Sequence, residues 1–412
     1  TGAFASRQAS VQLADSRDDH FYNLSAVDFA TDGTNVARQG DERDGHHNNP
    51  WLASAGLKRE NWTLRTLARR VRTTADFDPT PFPAFLPVDG DRRNRHDETL
   101  ALASLDLFGT DTAWLQRFSV ARFETANTTR TDDVRTASTD GRRWQFVSIT
   151  GVPLGARQEL QFLVEHRRET FEQRGEASDF GDPNQRQRMA TTSAGVEYLV
   201  AIAERWRFSA SARHDSNRDF ADSESVRLAL HHDVRDDTRL WIAAGTGVKL
   251  PSFVERFGFT PDSFLGNSDL EAERNRHVSA GVEHARGRWT HALTLYRDRL
   301  ENEINGFAFD PVRGGFTSLN ESGESRRQGA EWRSSAGWHG GALQVGASWL
   351  DAESGDGSRA IRRPRRQAFA TIDQIVGSVQ VQVGSIYVGA QLDQDFSTWP
   401  ATRVRLDAYT LR

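Results

Sequence analysis

Four carboxylates, Asp76, Asp78, Asp89 and Asp91, lie on either side of a stretch holding Pro79, Pro81, Pro83 and Pro87. Hard-cation binding needs several oxygens converging at ~2.3 to 2.6 Å, and acids this dense could supply them to calcium. A solvated acidic loop is the plain alternative. The pairs His46-His47 and His231-His232 could ligate a metal, although histidines in a loop and at a turn are more often simply solvated. Catalysis finds little to work with. There is no Gly-x-Ser-x-Gly, no His-Glu-x-x-His and no glycine-rich phosphate loop. The chain has no cysteine, which removes thiol nucleophiles, thiolate metal sites and disulfides together. An enzyme is not expected.

Phenylalanines gather in the same kind of polar stretch: Phe77, Phe82, Phe85 and Phe180, then Phe253, Phe257, Phe259 and Phe264. Apolar area beside polar groups suits a bulky amphipathic ligand. The same rings could instead pack on one another.

What must position these residues is a set of strands. Period-2 alternation recurs from end to end, whereas helical periodicity is hard to find. Gly341, Leu343, Val345, Ala347 and Trp349 share one face, opposed by Gln344, Gly346 and Ser348. Val379, Val381, Val383 and Tyr387 oppose Gln380, Gln382 and Gly384; Trp206, Phe208, Ala210 and Ala212 oppose Arg207, Ser209, Ser211 and Arg213. The connections alternate in length. Tight turns near 15–19, 59–61, 109–113, 151–156, 201–205, 232–237, 285–288, 337–341 and 376–378 are separated by long polar stretches near 31–50, 73–97, 126–140, 170–190, 249–273 and 352–365. Short turns at one end and long loops at the other mark a membrane barrel.

Composition permits this. No run approaches the ~18 to 20 apolar residues of a membrane helix. A mean hydropathy of -0.64 fits a barrel in which only alternate residues meet lipid. The net charge of -5 implies no nucleic-acid partner. A lipid-exposed sheet must close, because hydrocarbon offers no partner for an edge N–H or C=O. Roughly twenty strands of about ten residues are expected, enclosing a lumen wide enough to need a plug. Tryptophans near strand ends suit the interfacial girdles.

Residues 247–283 carry Pro251-Ser252, the segment Phe253 to Phe257, then Gly266-Asn267-Ser268-Asp269-Leu270-Glu271-Ala272-Glu273 and an alternating strand ending at Glu283. This stretch resembles the best-marked part of TonB-dependent outer-membrane receptor barrels, with Glu271-Ala272-Glu273 where members usually carry Lys-Pro-Glu. Tyr296 to Ile304, Asn320 to Glu324, Gly329-Ala330-Glu331 and Arg363-Pro364-Arg365-Arg366 resemble later hairpins of that family. Phe29 to Val36 resembles its vitamin B12 branch. The resemblance implies an all-β, large antiparallel transmembrane barrel over 1–412, about 20 of an expected 22 strands, with the N-terminal plug absent from this chain. It implies a bacterial outer-membrane uptake receptor for cobalamin, energised by TonB through the plug, surrounded by lipid and lipopolysaccharide. Calcium in the acidic loops would follow the same branch. A ferric-siderophore or haem receptor, or a passive porin or adhesin-like barrel, are the alternatives.

Overall fold

In the computed structural model, which describes residues 2–37, 39–81, 86–109, 114–177, 181–260, 264–395 and 402–411, twenty strands share one sheet. Its long strands form an antiparallel meander from Arg7–Ser16 and His20–Thr31 to Arg366–Val376 and Val379–Val388. The short strands His46–Asn48 and Tyr409–Leu411 add to it. No ladder among the described residues joins Arg7–Ser16 to the strands at the other edge.

The rungs slant around the sheet. One runs Gln158↔Val200↔Phe208↔Leu230↔Ile242↔Ala280↔Leu295↔Ala330↔Trp349. It leaves the tight-turn end at Gln158 and reaches the long-loop end at Trp349. Such a stagger between strand direction and hydrogen-bond direction is the shear of a barrel.

Burial is inverted relative to a soluble β protein. Leu24, Val120, Phe146, Phe162, Val164, Leu228, Ile242, Leu295 and Val383 are exposed. The largest fully buried side chains are Thr317, Asp106, Pro251, Ser193, Ser318 and Ser325. A packed sandwich buries its large apolar groups, so this sheet has no second layer to cover it. The apolar face is the lipid face. Its reverse carries Arg65, Asp106, Arg117, Glu165, Arg213, Arg207, Asp233 and Arg239 and lines the lumen. Among the described residues no helix is long and apolar enough to cross a membrane.

The turn expected near 109–113 falls largely outside the described residues; the other tight turns lie where alternation puts them, but one long stretch does not. Residues 126–140 are a hairpin closed by Asp132-Asp133, with strands Leu115–Thr131 and Val134–Pro153 paired up to Thr131↔Val134. Both turn residues have positive φ, 51° and 61°, as a two-residue hairpin turn with the right twist requires. Beyond the lipid both faces of a strand are wet, so the period-2 signal vanishes although the strand continues.

On the lumen wall, rings lie across glycines of the next strand. Trp241 faces Gly281, where an added Cβ would sit 2.5 Å from the indole. Phe21 covers Gly56 in the same way. Gly281→Ala should displace the indole and cost about 1–3 kcal/mol, the usual price of overpacking. Its thermal unfolding midpoint by circular dichroism in detergent tests this, and an unchanged midpoint with unchanged Trp fluorescence would count against the packing.

Candidate functional site

The long-loop end is built, not merely connected. After Thr238–Lys249 the chain makes a short helix, Phe253–Phe257. Ser252 Oγ accepts from the Glu255 N–H at 3.3 Å and Glu255 Oε2 accepts from the Ser252 N–H at 2.6 Å, a reciprocal capping box that satisfies two otherwise orphan donors. The helix stands on the barrel wall. Phe253 stacks on Phe171 with centroids 5.6 Å apart, and the Arg256 guanidinium lies 4.3 Å over Phe220. Two wall amides hold the next residues down: Gln185 Nε2 donates to the Gly258 carbonyl at 2.9 Å, and Gln173 Nε2 to the Phe259 carbonyl at 2.7 Å.

A second sheet of four strands, Gly258–Thr260, Phe264–Leu265, Gly315–Asn320 and Ile304–Asp310, welds this loop to the next one. Here the Gly266-Asn267 turn shows its purpose. Asn267 is buried; its amide donates to the Ser318 carbonyl at 2.9 Å, while its own carbonyl oxygen accepts from the Asp269 N–H at 3.0 Å. Asn320 Oδ1 in turn accepts from the Glu271 N–H at 2.9 Å. The sequence motif is a clasp between loops.

Beneath the helix lies a cavity of about 680 Å³ lined by Arg167, Glu169, Arg213, Asp215, Lys249 and Phe253, among others. Its charges are matched: Arg213 reaches Asp215 at 2.8 Å and Glu165 at 3.1 Å, and Lys249 reaches Glu273 at 2.8 Å. Paired groups of this kind hold a polar ligand by exchanging partners with it, and none is set up as an activated nucleophile.

The expected aromatic surface is only partly assembled. Phe253 and Phe257 come together, 6.2 Å apart, but against Phe171 and Arg256 rather than open to a ligand. Phe264 is half-buried in the loop sheet, Phe259 is exposed, and Phe77 stands apart at the end of Trp62–Asp76. Phe82, Phe85 and Phe180 lie outside the described residues.

The acids regroup. Carboxylate oxygens of Asp78, Asp89 and Glu42 lie within 4.8 Å of one another. Asp76 instead accepts from Arg93 Nε at 2.7 Å, and Asp91 is outside the trio. Glu42 was not anticipated, although the run Gly40-Asp41-Glu42-Arg43-Asp44-Gly45 is itself a loop rich in oxygen donors. Asp78 is fixed by the Ala37 N–H at 2.8 Å and the Gly90 N–H at 3.3 Å. Burial first, then the charges of Asp89, Asp91, Asp78 and Asp44, hold the Glu42 carboxyl above its ordinary value. The histidine pairs do not converge. His47 bonds Asp28 at 2.7 Å while His46 lies near Phe29, and His232 stacks on Trp206 while His231 pairs with Trp241 on the opposite face.

A slanted sheet of twenty strands, apolar outside and charged within, with loops folded into a cap at one end, is a large outer-membrane-type barrel. The chain belongs to the family described as TonB dependent receptor-like, beta-barrel, whose sequence model matches residues 3–411. It is 28% identical over 221 residues to the vitamin B12 transporter BtuB of Photobacterium profundum, covering 52% of this chain and 34% of that protein. A Vibrio cholerae vitamin B12 transporter BtuB is 22% identical over 225 residues, 54% of this chain and 35% of its own length. The match thus spans about a third of these curated relatives. In fold the chain is similar to the siderophore receptor PirA from Acinetobacter baumannii, with a TM-score of 0.79 at 12% identity, over 98% of this chain and 70% of that one. The FrpB iron transporter from Neisseria meningitidis gives 0.79 at 9% identity, over 99% and 71%.

Proposed function

We propose that this chain is the barrel of an outer-membrane uptake receptor for a bulky metal chelate, cobalamin foremost, with ferric siderophores or haem as the alternative cargo. The observation that carries the reading is the cavity beneath the clasped loops, at the lumen mouth of a barrel in this family. The likeness to vitamin B12 transporters favours cobalamin; the fold likeness to siderophore receptors supports the alternative. On this reading the barrel supplies walls, loops and a passage, and no covalent chemistry. TonB would act through the plug, pulling part of it free at the expense of the proton gradient. Calorimetric titration of the full receptor with cobalamin and with ferric chelates tests this; saturable binding is expected for one class, and binding of neither refutes it.

We further propose that Glu42, Asp78 and Asp89 take a calcium ion, since their oxygens are close enough to share one and their mutual repulsion would be relieved by it. Glu42→Gln combined with Asp89→Asn should abolish calcium-dependent protection of residues 32–45 and 77–91 in hydrogen exchange. Persistent protection in that variant removes the site. The pH dependence has a definite sign. The folded loop keeps the Glu42 proton to a higher pH than the unfolded chain does. Without calcium its stability therefore falls as pH rises from the ordinary value of 4.5 through the raised one. Calcium competes with that proton, so its affinity should rise over the same window.

A further inference from the structure

The lumen wall carries a chain of hydrogen bonds that uptake alone does not call for. His277 and Ser279 share the lumen face of the strand Glu273–Arg286, and Asp298 lies directly across from His277 on Trp289–Glu301. His277 Nδ1 meets Asp298 Oδ1 at 2.8 Å, and His277 Nε2 meets Ser279 Oγ at 2.9 Å. An ionised carboxylate can only accept, so Nδ1 carries the proton and Nε2 is left to accept from the serine hydroxyl. That is the tautomer in which an imidazole takes a proton from a nucleophile. Asn275 Nδ2 donates to the same Asp298 oxygen at 2.9 Å and fixes the carboxylate. Arg327, beside Asp298 in the ladder, is held by Glu303 and does not draw the carboxylate away. Among the described residues no other histidine bonds a carboxylate through one ring nitrogen and a serine through the other.

These groups lie next to the cavity under the loop cap. Their rung runs Ser211↔Arg227↔Gly245↔His277↔Asp298↔Arg327. The next rung towards the loops on the same face pairs Gly247 with Asn275, and Gly247 lines that cavity. Ser279 is 7% exposed and the His277 side chain 40%, so the hydroxyl is shielded while the base stays open to the lumen. Acyl transfer also needs a donor for the oxyanion of its tetrahedral intermediate. Backbone N–H groups of this wall are committed to the ladders, so a side chain must supply it. Arg227 is free to do so. It has no acidic or hydrogen-bonding partner among the described residues, and it crowds Gly245, where an added Cβ would lie 3.3 Å from the Arg227 Cβ. It stands two strand spacings from His277, roughly 10 Å, a gap that its extended side chain and a bound acyl group fill. One mobile cation in place of two fixed N–H donors suits an ester better than an amide, whose leaving group is poorer.

We propose that Ser279, His277 and Asp298 form a nucleophilic site that hydrolyses carboxylic esters admitted to the cavity. Ser279 Oγ bonds to the ester carbonyl carbon as its proton passes to His277 Nε2, and Arg227 faces the oxyanion. Collapse breaks the acyl C–O bond. His277 gives its proton to the departing alkoxide, leaving an acyl-serine and a free alcohol. A lumen water then attacks the acyl carbon and yields a proton to His277. The serine leaves with that proton as a hydroxyl, so the sum is ester and water to acid and alcohol. Asp298 is a positioning residue, holding the ring with Nε2 bare. The inference goes beyond the uptake reading, which asks the barrel only for walls, loops and a passage, and it does not depend on the cargo.

The test is fluorophosphonate labelling of the full receptor in detergent, without cargo, mapped by peptide mass spectrometry, beside turnover of p-nitrophenyl acetate. The unaltered receptor should carry the phosphonyl group on Ser279 and release nitrophenol over many cycles. Ser279→Ala should lose both. His277→Ala should slow labelling by about a hundred- to ten-thousandfold, and Arg227→Gln should slow turnover by about a hundredfold. Asp298→Asn should lower kcat on the order of a hundredfold or more, with KM and the unfolding midpoint unchanged, which a merely structural role would not give. Ser209→Ala, at another serine of the lumen face, should change neither readout. Labelling of the unaltered receptor needs no variant to fold and so keeps the test open. No labelled serine, a label on a different serine, or equal labelling of His277→Ala overturns the proposal. Because neither cobalamin nor a siderophore is present, failure of either cargo reading does not touch this result.

Discussion

Val345→Arg is expected to stop the barrel from assembling in a bilayer, while Gln344→Arg, one residue away, assembles normally. Val345 pairs with Ser334 and Ala370 and lies midway along the outward row Leu343, Val345, Ala347 and Trp349. Gln344 pairs with Ser335 and Thr371 on the lumen face. An arginine at mid-depth on the lipid face costs about 2–4 kcal/mol, and it loads a strand that must pair during insertion. The same charge in a water-lined lumen already rich in arginine costs little. Heat-modifiability on a gel after folding into vesicles reads the difference. Equal, mild effects of the two variants would mean that the assignment of faces is wrong.

Asp106→Ala should be the most damaging change on the lumen wall. Asp106 is 1% exposed and accepts from Arg117 through both oxygens, at 2.6 and 2.9 Å, and from Arg65 as well. Removing it leaves two guanidiniums facing each other with no counter-charge. Only the carboxylate is buried, and the guanidiniums left behind are 46% and 41% exposed, so water screens them and the cost is about 1–3 kcal/mol, below that of a fully buried pair. The expected result is a barrel that unfolds at a markedly lower temperature in detergent. Asp106→Ala combined with Arg65→Ala and Arg117→Ala should recover part of the loss, since the orphaned cations go too. No recovery would show that the carboxylate acts through something other than this triad.

How far the sequence could be read depends on where water and lipid meet each strand. Within the band, Leu343 to Trp349 alternates because its two faces have different solvents, and the strand Gly341–Glu353 follows directly. Above the band that asymmetry ends. Residues 126–140 therefore read as polar loop yet form a paired hairpin. The loop cap was half legible. Ser252 and Glu255 are a capping-box pair at the right spacing, a helix-start signal hidden inside an otherwise irregular stretch. The Gly266-Asn267 turn was visible as a motif, but its partner Ser318 is 51 residues away, beyond the reach of any local pattern. The same holds for Glu42, which joins Asp78 and Asp89 only because two separate loops fold against each other.

The glycines under Trp241 and Phe21 have a consequence for anything that travels along the interior. A large ring standing upright would be a post in the bore; laid across a residue with no side chain, it becomes part of the wall. At these two places the bore gains the width that an upright ring would have taken.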